Sequence, residues 1–186
     1  MRIDKQNFEY FFSAMLYCLW LRENKSTEII QKYTNRFLDF ILKYLFSKKI
    51  QEKCNQNRRQ GQLQLGEIND FMNIEWAKNW LVFAYLSYTC VFSFIISALL
   101  VKKFGDLDYE IVLIITFIPI VICYPMLDNV VFKHDIYLNY FKQFKKEDEQ
   151  WLKKWKRRTL LFQLGSVLAI IIGGLSMFII CGIITF

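Results

Sequence analysis

Histidine is almost missing from this sequence: His134 is the only one. There are two prolines, Pro119 and Pro125, and five cysteines, Cys18, Cys54, Cys90, Cys123 and Cys181, no two of them spaced as a C-x-x-C pair. A structural zinc site needs such pairs or a second histidine, and the sequence has neither. The cysteines in apolar runs act as small reduced hydrophobes. No H-E-x-x-H, no G-x-S-x-G and no phosphate-cradling glycine loop occurs. The expectation is therefore no metal, no cofactor and no enzymatic activity.

Charge is missing along three stretches. Residues 80–101 carry none over a run of mostly apolar side chains. Residues 109–132 are uncharged from Ile111 to Leu127 and close on Asp128. Residues 159–186 are uncharged throughout. About 20 apolar residues cross the hydrocarbon layer as a helix, and a single segment in lipid must be helical to satisfy its own backbone. With 54% hydrophobic residues and 18% aromatics, the composition fits an all-α polytopic membrane protein: three transmembrane helices plus cytoplasmic amphipathic helices.

What is present in excess is basic charge, 24 Lys and Arg against 17 Asp and Glu. It gathers in residues 1–79 and in 133–158, with only Lys102 and Lys103 between the first two apolar stretches. The positive-inside rule then puts the amino terminus and 133–158 in the cytoplasm and the carboxyl end on the opposite side, as in a bacterial inner membrane. The last helix is expected to end at that far surface without an exported tail. Lys153, Lys154, Lys156, Arg157 and Arg158 abut the third span, where a basic cluster fixes topology and contacts anionic lipid. No nucleic-acid partner is expected.

Five regions follow. Residues 1–50 read as cytoplasmic or interfacial amphipathic helices, 51–66 as a polar loop, and 67–132 as a helix leading into a transmembrane hairpin of spans 80–101 and 109–132. Residues 133–158 read as a cytoplasmic helical segment bent near 147–149, and 159–186 as a transmembrane helix. Within the first region, 8–21 is too short to span and contains Glu9. It reads as a helix lying on the membrane or packing on later helices. A second helix is expected to start at a Ser26 or Thr27 cap, with one aromatic and one basic face.

Pro119 and Pro125 predict a kinked second span, and Asp128 and Asn129 beside them are its polar candidates. Asp128 falls near the hydrocarbon boundary, where hydration and a lysine partner explain it without a function. His134 and Asp135 read as solvated surface. In the third span, Gly165, Ala169, Gly173, Gly174 and Cys181 make a small-residue face of the kind through which helices associate in lipid. That face could pack on the other spans of the same chain; its width favours a partner from outside. Cys90, Ser93 and Ser97 give the first span a partial polar stripe, a possible pore face. Two functions are expected to compete: a non-enzymatic membrane subunit joined to other proteins or copies, and a homo-oligomeric ion channel or membrane-permeabilising effector.

Overall fold

A computed structural model describes residues 5–45, 48–104 and 109–180. All its elements are helical: α1 (Lys5–Leu45), α2 (Lys48–Phe104), α3 (Tyr109–Leu127), a π turn (Asp128–Phe132), a 3₁₀ turn (Lys133–Asp135), α4 (Ile136–Phe144) and α5 (Glu149–Ile180). Three segments are long and apolar enough to cross a membrane: Asp70–Phe104, Leu113–Phe144 and Glu149–Ser176. The expected spans 80–101 and 109–132 fall within, or largely within, the first two, and the third begins before 159.

Two expectations about helix ends are overturned. The backbone is helical through 51–66, where a polar loop is predicted. Gln, Arg, Lys, Glu and Leu are all good helix formers, and Gly61 and Gly66 subtract only about 1 kcal/mol each relative to alanine. Nor does a new helix start at Ser26 or Thr27, because α1 runs unbroken from Lys5 to Leu45. No proline or glycine occurs before Gly61 to interrupt it.

The chain forms two compact units, residues 19–78 and residues 1–18 with 79–186. In the smaller unit, a polar clasp joins α1 to α2. The Thr27 hydroxyl donates to Asn73 Oδ1 at 2.9 Å, and Asn73 Nδ2 donates to Asn24 Oδ1 at 2.8 Å. Asn73 is buried, so this pairing satisfies an amide that would otherwise be costly to desolvate. Thr27 thus bonds across helices and caps none.

In the larger unit, the first turns of α1 are core. Every side chain from Phe12 to Cys18 is buried, which a helix achieves only when apolar surfaces enclose it. Tyr10 meets Tyr140, Phe144 and Trp155 edge-on at centroid distances of 6.1, 5.2 and 5.8 Å. Tyr17 lies 5.0 Å from Phe141, and Phe12 lies 5.6 Å from Tyr85. Within the expected 8–21 helix, residues 10–17 thus pack on later helices of the same unit. Between α4 and α5 the chain turns over 145–148, close to the predicted bend. Asp148 Oδ1 accepts the Trp151 N–H at 2.7 Å as an N-cap, and Glu149 places its charge on the first turn of α5.

Candidate functional site

Three groups of predicted residues lie in the larger unit: a seam between the apolar helices, a kink after α3, and a basic stretch at the start of α5. At the seam, Tyr88 of α2 donates its hydroxyl to the Phe162 carbonyl of α5 at 2.8 Å. A Cβ at Gly165 would collide with that same hydroxyl. At Gly173 it would stand 3.0 Å from the Phe94 ring and 3.2 Å from the Val91 Cα. Gly165 and Gly173 therefore admit α2 of the same chain. The sequence leaves room for one such stripe to pack within the chain and leans toward an outside partner besides; for these two glycines the neighbour is α2, since spacing shows that two backbones approach closely but not whose they are. Ala169 is buried in the same row. Gly174 differs, since a Cβ there would meet nothing within 4 Å. Cys181 lies outside the described residues.

If Gly165 is kept for the Tyr88 hydroxyl, Gly165→Ala should destabilise by about 1 kcal/mol, the scale of an interhelical hydrogen bond in lipid. Tyr88→Phe removes the colliding oxygen. The double variant should then be less destabilised than the sum of the two single ones, by a coupling readable in denaturant unfolding from detergent. Simple additivity would count against the contact.

The polar stripe of the first span faces inward. Ser93 and Ser97 are buried; Ser93 donates to the Thr89 carbonyl at 3.2 Å, and the Ser97 and Thr116 hydroxyls pair at 2.9 Å between α2 and α3. Ser87 likewise donates to the Phe83 carbonyl at 2.7 Å. These hydroxyls are satisfied within the chain, as buried polar groups must be. Cys90 is half-buried beside them.

The kink lies at the end of α3. Pro119 and Pro125 are both inside the helix, each lacking the N–H of a regular ladder. Beyond Leu127 the helix widens into a π turn, and the Lys133 N–H reaches the Asp128 carbonyl, five residues back. Asn129 Nδ2 donates to the Pro125 carbonyl at 2.8 Å, the acceptor that an α-helical ladder would give to the Asn129 backbone. Lys133 Nζ donates to Asn129 Oδ1 at 3.2 Å. A lysine of the 133–158 segment is the partner expected for Asp128; the nearest in sequence, Lys133, donates its Nζ to Asn129 instead, and no ion pair to the Asp128 carboxylate occurs among the described residues.

His134 and Asp135 have φ of 59° and 52°, two consecutive left-handed residues without a glycine. Histidine and aspartate are among the few residue types enriched there. This is the feature that sequence reasoning missed: K-H-D between two apolar helices carries the signal, though composition alone reads it as surface. Asp135→Val should lower the melting point by the equivalent of about 1–2 kcal/mol, because a β-branched side chain resists this conformation, whereas Asp135→Gly should not. Equal melting points for the two variants would place Asp135 outside the left-handed region.

The basic stretch Lys153, Lys154, Lys156, Arg157 and Arg158 is exposed. Two of its members have partners: Lys153 lies 3.0 Å from Glu149, and the Arg158 guanidinium stacks 4.9 Å over the Trp155 ring. Among the described residues, no group of histidine, cysteine and carboxylate side chains converges as a metal site would require. No family model, no curated protein and no solved structure matches the chain.

Proposed function

We propose that the chain is a non-enzymatic integral membrane subunit, assembled with other proteins through the outer surface of its spans. The carrying observation is how the polar groups are distributed. The hydroxyls of Ser87, Tyr88, Ser93, Ser97 and Thr116 are satisfied within the chain, while Ile114, Phe117, Val121, Leu164, Leu168 and Ile172 are exposed on the outside. An apolar exterior suits lipid and other spans, whereas a pore built on the Ser93–Ser97 stripe would have to break bonds already made. The positive-inside distribution supports a cytoplasmic amino-terminal region. There, exposed Phe71, Met72 and Trp76 on α2 offer a partner protein an apolar patch with aromatic anchors.

The test is the mass of the protein expressed alone in mild detergent, paired with ion flux from liposomes. A monomer without flux, which enters a larger complex when purified from its native membrane, is expected. A defined homo-oligomer that conducts ions would move the chain to the competing channel reading.

A further inference from the structure

One surface of the smaller unit is unaccounted for by assembly of the spans. On α1, Ile30, Tyr33, Phe37, Phe40 and Tyr44 recur at alternating steps of three and four, within about 80° of arc at 100° per residue. Each is between 59% and 68% exposed, so none is core. Asn24 and Thr27, which turn toward α2, lie roughly 100–160° around the helix from the centre of that row, on the flank opposite the basic residues. Lys25, Lys32, Arg36 and Lys43 line up about a quarter turn from the aromatic row, all exposed. Lys43 Nζ lies 6.0 Å from the centre of the Tyr44 ring, so the two rows adjoin. Glu28 and Asp39 sit beyond the basic row, away from the aromatics.

We propose that this face docks on the headgroup region of an anionic lipid bilayer. The chemistry of the two rows carries the choice. Phenylalanines supply apolar depth, and tyrosines place a ring in the acyl boundary with the hydroxyl among headgroups. The adjoining basic row meets the negative surface potential. A second copy of the same helix fits less well. It would bury the Tyr33 and Tyr44 hydroxyls in a dry seam, and antiparallel pairing centred between residues 39 and 40 would bring Arg36 of each copy toward Lys43 of the other. A chain with three helices able to cross a membrane has a bilayer at hand. The docking does not depend on whether the spans form a subunit or a channel.

Photo-crosslinking tests it on the full chain reconstituted in liposomes, with benzoylphenylalanine replacing either Phe37 or, on the far side of the helix, Gln31. In vesicles of phosphatidylcholine with phosphatidylserine, position 37 should give adducts of phospholipid mass and position 31 at least about fivefold fewer. In phosphatidylcholine alone, or with Lys32→Gln, Arg36→Gln and Lys43→Gln combined, the yield at 37 should fall at least about fivefold, since each basic residue near such a surface contributes roughly that factor. A cross-linked dimer through position 37, equal lipid adducts at both positions, a yield indifferent to charge, or no adduct at 37 would each overturn the proposal.

Discussion

Gly173→Leu is expected to unfold or badly distort the larger unit, while Gly174→Leu, one residue away, is expected to leave it standing. A Cβ at Gly173 already comes within 3.2 Å of the Val91 backbone and 3.0 Å of the Phe94 ring. The first of these is not a flexible side-chain end, so α2 and α5 must separate, and the whole seam loosens with them. Overpacking of a filled core commonly costs 1–3 kcal/mol, and a leucine forced against backbone belongs at or above the upper end, about 3 kcal/mol. Tyr88 and Gly165 lie farther along the same two helices, so the hydrogen bond to Phe162 is lost in the same event. Gly174 has open space where its Cβ would stand, and a leucine there should change stability by no more than about 0.5 kcal/mol. Denaturant unfolding in detergent measures both. The same pair separates packing within the chain from assembly: Gly174→Leu is placed to disturb an outside partner without disturbing the fold. If Gly173→Leu left stability unchanged and broke up a purified complex, the two faces would have exchanged roles.

These two glycines also mark how far the sequence could be read. Charge-free length identified the apolar helices because the cost of charge in lipid is local and one-dimensional. Small residues four apart identified the close-packed face for a similar reason. Neither signal says which helix is on the other side. The polar stripe at Ser93 and Ser97 was visible too, but a serine lining water and a serine bonded to a carbonyl four residues back look alike in one dimension. Helix ends were the weakest reading. Ser26 and Thr27 have the right chemistry for a cap, yet nothing in the preceding residues breaks the helix, and Thr27 found Asn73 across the sequence. The loop expected at 51–66 rested on polarity, which a helix tolerates. By contrast, the turn before Glu149 was legible because Asp148 and Glu149 act within one turn of the backbone they stabilise. The aromatic core around Tyr10 was not legible, since it joins residues more than a hundred positions apart.

That core is the subject of the second large effect. Trp155→Ala should free the first turns of α1 from the larger unit. Trp155 is buried and meets Tyr10 at 5.8 Å, Phe11 at 5.7 Å and Trp151 at 5.9 Å, while its carbonyl accepts the Thr159 hydroxyl at 2.9 Å. Trp151 in turn donates its indole N–H to the Tyr10 hydroxyl at 3.0 Å. Truncating a buried tryptophan to alanine costs about 3–5 kcal/mol, and here the loss falls on the contacts that hold α1. Cys18 reports the result. It is 4% exposed, and burial pushes its thiol up to about 11, with the Thr159 hydroxyl and the Lys156 ammonium pulling partway back. The folded thiol holds its proton longer than the 9.0 of a free one, so its contribution to stability is complete below pH 9 and is lost as pH rises through about 11. At pH 8 a thiol released from about 11 to 9.0 gains roughly a hundredfold in thiolate, before any gain in access. Alkylation of Cys18, followed peptide by peptide, should therefore accelerate at least about a hundredfold in Trp155→Ala. If Cys18 stayed slow while the melting point held, the aromatic contacts would not be what keeps α1 in place. If the melting point fell and Cys18 stayed slow, the loss would lie in α5 itself. Only the joint change places the strain where the rings are: between the start of the chain and the helix that runs into its third apolar segment.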